Sequence, residues 1–185
     1  MKRTFIAIDI PVNDTIANIL DDIRSVLKYE KIKWVSRAQF HITLQFLGDT
    51  DDTHLNSINN YLEEITRNFD GFTLKTGSPG VFRNIRDPRV LWLDIQKNSS
   101  LEKLKSRIDQ RLEKFGYKPD NRPFHPHLTI GRIKYLNNGE NLARILENNR
   151  DKIFQEVKID HLVFYESILK QEGPEYIALK RHYFK

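Results

Sequence analysis

Two short segments carry one signature: His41-Ile42-Thr43-Leu44 and His127-Leu128-Thr129-Ile130. Each sets a histidine and a threonine two residues apart, with an aliphatic residue between them and another after. A β-strand sends alternate side chains to opposite faces, so each segment can aim an imidazole and a hydroxyl at one surface while burying its aliphatics. An imidazole with a pKa of about 6.5 can take a proton when neutral and give one when charged. A hydroxyl can donate to a phosphoryl oxygen. Two such strands facing one cleft would hold the groups for acid–base chemistry on a phosphate. Taken alone, the pattern also fits two half-buried strands with polar residues on their wet face, so the surrounding elements decide.

Those elements are written twice. Phe5-Ile6-Ala7-Ile8-Asp9-Ile10 and Val90-Leu91-Trp92-Leu93-Asp94-Ile95 match in character, and each precedes an amphipathic helix. In the first helix Ile16, Ile19, Leu20, Ile23 and Leu27 form one stripe; in the second Leu101, Leu104, Ile108, Leu112 and Phe115 do. Ser99 and Glu102 read as a capping box opening the second helix, and Gly116 as its stop. The His-x-Thr strand follows, His41 lying 32 residues after Asp9 and His127 lying 33 after Asp94. Further helices are expected around Leu55 to Ile65 and Leu142 to Leu146. They lead to strands at Phe72 to Lys75 and Val157 to Tyr165, with extra strands at Val81 to Arg83 and Tyr176 to Arg181. The turn-rich segment Gly77 to Pro88 marks the seam. A strand–helix–strand–helix–strand unit thus repeats over roughly 3–78 and 89–165 within a single 1–185 domain. Two related halves packed about a pseudo-twofold axis would bring His41 and His127 to matching positions across one groove.

Composition sets the limits. At 185 residues, 39% hydrophobic and 30% charged, the chain suits an ordinary soluble globular protein. The absence of cysteine rules out disulfides and thiolate chemistry and fits a reducing cytoplasm. The apolar run after Met1-Lys2-Arg3 is short and interrupted by Asp9, so it reads as a first strand rather than a signal peptide. No stretch approaches a membrane span of about 20 apolar residues. A formal charge of +5 is compatible with a polyanionic partner.

The flanks of the two signatures carry a family likeness. They include Arg3-Thr4-Phe5-Ile6-Ala7-Ile8-Asp9-Ile10-Pro11, Trp34-Val35, Phe40-His41-Ile42-Thr43-Leu44-Gln45-Phe46-Leu47-Gly48 and Gly80-Val81-Phe82. Arg89-Val90-Leu91-Trp92-Leu93, Arg122-Pro123-Phe124-His125-Pro126-His127-Leu128-Thr129-Ile130-Gly131-Arg132 and Glu166-Ser167-Ile168-Leu169 complete them. In these the chain resembles the 2H phosphoesterase superfamily, and within it the bacterial and archaeal RNA 2′,3′-cyclic phosphodiesterases, also called 2′-5′ RNA ligases. The resemblance implies an α+β fold of two pseudo-symmetric lobes of antiparallel sheet, helices outside, around a central groove. It also implies hydrolysis of RNA or nucleoside 2′,3′-cyclic phosphate ends to 2′-phosphates with no metal or other cofactor. Reversible 2′-5′ RNA joining in the same groove, and a non-catalytic RNA- or nucleotide-binding module, are the alternatives. The expected partner is an RNA or nucleotide with a cyclic phosphate end, met by a monomer in the cytoplasm and away from membranes.

On this reading His41 and His127 are catalytic, and Thr43 and Thr129 hold phosphoryl oxygens. The family likeness makes His41 the acid for the 3′ oxygen and His127 the base for water; the residues themselves allow the reverse. Arg132 matches a phosphate-contacting arginine of the family. Strict alternation would put it on the wrong face unless Gly131 permits a bulge or the strand ends there. Phe5 and Trp92 lie on the less apolar faces of their strands and could stack on a base, although packing against a neighbouring strand is the simpler reading. Gln45 extends the His41–Thr43 face. Asp9 and Asp94 could orient a group in the groove, although capping the ends of their strands is the simpler reading. His125 and His127 make only half a zinc site.

Overall fold

Each half of the chain begins with an apolar strand whose one face must be covered, and the fold covers it by exchanging elements between the halves. The structure is a computed structural model that describes residues 1–119, 122–171 and 173–185. In chain order the elements are β1 (Lys2–Asp9), α1 (Asp14–Val26), β2 (Lys31–Trp34), a 3-10 turn (Arg37–Gln39), β3 (His41–Thr50), α2 (Asp52–Arg67) and β4 (Phe72–Phe82). Then come β5 (Val90–Ile95), α3 (Ser99–Glu113), β6 (His127–Tyr135), α4 (Gly139–Asn148), β7 (Ile153–Ile159), β8 (His161–Lys170) and β9 (Gly173–Tyr183).

The strands form two antiparallel sheets, ordered β3-β1-β8-β9 and β2-β6-β5-β4-β7. The motif strand of each half pairs with that half's first strand, β3 with β1 and β6 with β5. The next neighbour comes from the other half: β8 beside β1 and β4 beside β5. Helices are shared in the same way. α2 packs on β9 and α3 on β3, covering the first sheet, while α1 packs on β7 and α4 on β4, covering the second. The α+β class, with two antiparallel sheets and helices outside, is as the family likeness implied.

The core lies between helices and sheets. Ile6, Ile8, Ile42 and Leu44 of the first sheet and Leu91, Leu93, Leu128 and Ile130 of the second are fully or almost fully buried in one apolar cluster with the helix stripes. Each such side chain stabilises the fold by roughly 1.5–3 kcal/mol, which fixes strand register because a one-residue slip would turn these residues to water. Among the described residues no helix is long and apolar enough to cross a membrane.

Local details depart from the sequence reading in three places. The cap of α3 is Asn98, whose side chain accepts from Leu101 N at 3.0 Å, so Ser99 is the first helical residue. Asparagine can make the bond from one position earlier, so the Ser99–Glu102 spacing misplaced the start. Gly116 does end the helix, at φ +85°, with Tyr117 N returning to Leu112 O. Second, Gly77 to Phe82 continue β4 and do not form a seam. A side chain at Gly77 would collide with Lys152 O and one at Gly80 with the Trp92 ring, so these glycines mark close approaches within a strand. Third, the stretch around Val157 to Tyr165 is two strands parted at Asp160.

Candidate active site

The two motif strands present their polar residues on the faces turned away from the helices. In the β1–β3 ladder Asp9 stands across from His41 and Ala7 across from Thr43; in the β5–β6 ladder Asp94 stands across from His127 and Trp92 across from Thr129. The registers of the two halves therefore coincide at the motif. β3 and β6 also approach each other between the sheets, bringing the two histidines towards one groove.

Each ladder then skips a residue. Ile6 pairs with Gln45 and Ala7 with Thr43, leaving Leu44 unpaired; Leu91 pairs with Gly131 and Trp92 with Thr129, leaving Ile130 unpaired. A bulge re-phases the alternation. Arg132 consequently faces Val90, which shares its side of β5 with Trp92 and Asp94, so the guanidinium joins His127 and Thr129 on the groove face. The same shift carries Gln45 inward. Its amide donates to Lys118 O and its carbonyl accepts from Lys105 Nζ, at 3.1 and 3.3 Å, so it supports the wall and does not line the groove. Phe46, 69% exposed and opposite Phe5, takes the place on β3 that Arg132 takes on β6.

The imidazoles are held alike. His41 Nδ1 lies 2.7 Å from Gln39 O, and His127 Nδ1 lies 2.7 Å from His125 O. A carbonyl only accepts, so Nδ1 carries the proton in both rings and Nε2 is left as the working atom. Among the described residues neither motif threonine hydroxyl bonds to the protein, and Arg132 has no acidic partner.

The electrostatic settings differ. Burial pushes the pKa of both histidines below the ordinary value. At His41 the bond to Gln39 O and the Asp9 carboxylate oppose that push, while His127 and Arg132 add to it. At His127 the bond to His125 O is the opposing influence, and the nearby charges, His125 and Arg132, both lower the pKa further. His41 thus has a carboxylate to favour its charged form, whereas the charged neighbours of His127 favour its neutral form.

Aromatic rings line both sides. Phe5 is 1% exposed, stacked on Tyr165 at 5.1 Å, with His41 at 5.2 Å and Tyr176 edge-on at 5.0 Å. Its faces are taken, so it packs beneath His41 and has no surface to offer a base. Trp92 is likewise engaged by Phe82 and His125, at 5.2 and 5.1 Å, and Phe82 meets His127 edge-on at 4.6 Å. Tyr165 also donates a 2.6 Å bond to Asp9, so Asp9 is tied into the site beside His41 in addition to closing its strand. Phe46, Tyr165, Tyr176 and Phe82 were missed by sequence reasoning. Only the bulge could have placed Phe46, and only the exchange of β4 and of the β8–β9 pair brings in the other three. His125 and His127 lie side by side, ring centres 6.3 Å apart, and among the described residues no group of three metal-ligating side chains forms.

Comparison with known proteins places the chain in a family and matches its fold. The family model described as the 2′-5′ RNA ligase superfamily matches residues 12–170. A protein of Methanocaldococcus jannaschii named RNA 2′,3′-cyclic phosphodiesterase is 34% identical over 178 residues, covering 96% of this chain and 98% of its own. One of the same name from Bacillus subtilis is 38% identical over 129 residues, covering 68% and 69%. Among solved structures, TT0787 of Thermus thermophilus superposes with a TM-score of 0.82 at 23% identity, covering 98% of this chain and 97% of that one. E. coli LigT complexed with 3′-AMP superposes at 0.74 and 24% identity, covering 100% and 98%. The two structures share the fold.

Proposed function

The chain belongs to the 2′-5′ RNA ligase superfamily, and from that premise we propose that it hydrolyses 2′,3′-cyclic phosphate ends of RNA to 2′-phosphates by proton transfer between two histidines. The observation that carries this reading is the matched clamp on the imidazoles: each Nδ1 gives its hydrogen to the carbonyl two residues upstream, leaving two Nε2 atoms free for the reaction.

Opening the ring forms one P–O bond to water and breaks the P–O3′ bond on the opposite side of phosphorus. Neutral His127 Nε2 accepts the water proton as the new bond forms. Protonated His41 Nε2–H gives its proton to the departing O3′, so the ribose leaves as an alcohol and the phosphate stays on O2′. The two histidines end with protonation states exchanged and are reset through solvent. Asp9 beside His41 and His125 beside His127 support this polarity over its reverse. The Thr43 and Thr129 hydroxyls and the Arg132 guanidinium donate to the non-bridging oxygens, where charge builds up in the transition state. Phe46 offers an open ring face on the His41 side for the terminal base.

Product analysis on a nucleoside 2′,3′-cyclic phosphate in EDTA tests the reading. The expected result is a 2′-monophosphate as sole product, with losses of about 10² or more in His41→Ala and His127→Ala variants that keep the wild-type circular dichroism. Undiminished turnover in either variant, or no turnover by the wild type, overturns it.

A further inference from the structure

Beyond the threonines the two motif strands carry rows of equal spacing and opposite character. On β3 the groove-facing row is His41, Thr43, Phe46 and Asp49; on β6 it is His127, Thr129, Arg132 and Tyr135. The outer end of the β3 row carries one charge of each sign, Asp49 standing across the ladder from Arg3. The outer end of the β6 row does not. Lys33 stands across from Arg132, and Lys31 across from Tyr135 after a second bulge leaves Lys134 unpaired.

Like charges placed directly opposite each other weaken a ladder, so Lys33 against Arg132 costs the free protein stability and becomes favourable once an anion lies over the pair. Among the described residues neither Lys31 nor Lys33 has an acidic partner within 4 Å. Glu30, beside them in sequence, is occupied elsewhere: its carboxylate accepts from the backbone amides of Asn137 and Asn138. Lys33 reaches over the groove, its ammonium lying against Gly173 at the start of β9 in the other sheet. Tyr135 is 59% exposed, its ring open beside Lys31. Cations alternating with an open aromatic ring, in a line leading out of a phosphate site, suit a single-stranded nucleic acid: phosphates meet the lysines and a base stacks on the ring.

We propose that the edge formed by β2 and the end of β6 is a binding track for the RNA strand 5′ of the reacting end, with Lys33 and Lys31 on successive backbone phosphates and Tyr135 under a base. The inference rests on the phosphodiesterase reading for its direction, because a cyclic phosphate terminates the 3′ end and the rest of the strand must leave the groove 5′-ward. The β3 side, with a charge of each sign, gives the polyanion no comparable path.

The experiment compares 2′,3′-cyclic AMP with a five-nucleotide single-stranded RNA ending in a 2′,3′-cyclic phosphate. Wild type should show a KM about tenfold lower for the pentanucleotide, with an advantage that shrinks as salt rises. Lys31→Gln and Tyr135→Ala should each raise the pentanucleotide KM about fivefold while leaving kcat/KM for cyclic AMP unchanged. Equal KM values for the two substrates, or variants that affect both alike, overturn the track. Fluorescence anisotropy with a labelled pentanucleotide bearing a terminal 2′-phosphate reads the track independently of turnover. Weaker binding by about fivefold in both variants supports it even if hydrolysis fails, in which case only the reaction assignment falls; equal binding by all three proteins overturns the track.

Discussion

Asp9 stands directly across the β1–β3 ladder from His41, and its carboxylate accepts a 2.6 Å hydrogen bond from the Tyr165 hydroxyl. The contact gives His41 a negative neighbour that favours its protonated form. Replacing the carboxylate by an amide keeps the shape and removes the charge, so Asp9→Asn lowers the His41 pKa further. If His41 is the acid, it must be protonated to act, and the basic limb of the pH dependence of kcat/KM moves to lower pH. If it were the base, the acidic limb would move instead. The pH–rate profile of Asp9→Asn therefore tests the division of labour between the histidines.

Arg132 and Phe46 occupy corresponding positions in the two halves, and that difference makes the groove asymmetric. Arg132→Ala removes a charged donor from the phosphoryl oxygens and should lower kcat by about 10²–10³. Arg132→Lys should recover only part of it, since an ammonium lacks the planar fork. Phe46→Ala should raise KM roughly fivefold or more through lost stacking and leave kcat within about twofold. A kcat collapse in Phe46→Ala, or an unaffected kcat in Arg132→Ala, would reverse these roles.

How far the sequence predicted this site depended on whether a residue's position follows from local pattern. His41, Thr43, His127 and Thr129 sit on plain alternating strand, where period two suffices, and the helix stripes followed the same logic at a period of about 3.6. Arg132 needed the bulge at Ile130, for which Gly131 was a fair hint. Gln45 went the other way because the matching bulge at Leu44 has no glycine to announce it. Phe5 looked available for a base because its strand face is less apolar, but β8 and β9 bring Tyr165 and Tyr176 onto that face from the other half. The Lys33–Arg132 pairing was equally hidden, since β2 lies far along the chain from the strand it joins. Long-range pairing is where a single sequence gives least guidance.

Gly80 tests how tightly the His127 wall is built. A β-carbon there would lie 2.1 Å from the Trp92 ring, which is itself wedged against Phe82 and His125. With the ring hemmed by both neighbours, Gly80→Ala should destabilise the protein by about 1–3 kcal/mol through overpacking. For a chain of this length that is a fall in Tm of several degrees, on the order of 2–4 °C per kcal/mol. Because Phe82 touches His127, activity in the folded fraction should drop as well. A Tm within a degree of wild type would show that Trp92 can move aside.

His182 supplies the pH dependence of stability. It is 1% exposed on β9, with Nε2 donating to Asn59 Oδ1 at 3.2 Å and Nδ1 3.4 Å from Glu63 Oε2. Burial, reinforced by Lys180, outweighs Glu63 and pushes its pKa down to about 4. The folded state therefore resists a proton that the unfolded chain accepts near pH 6.5. Below that pH the unfolded state binds more protons, so stability falls as the pH drops from about 6.5 towards 4 and is fully present above that window. The shift corresponds to about 3 kcal/mol across the window. The half-buried active-site histidines, also lowered, add to the same trend. His182→Gln retains an amide donor for Asn59 and has nothing to titrate. Its Tm should therefore decline less steeply than that of wild type between about pH 6.5 and 4.5. Parallel curves for the two proteins would mean that His182 takes up its proton in the folded state as readily as in the unfolded one.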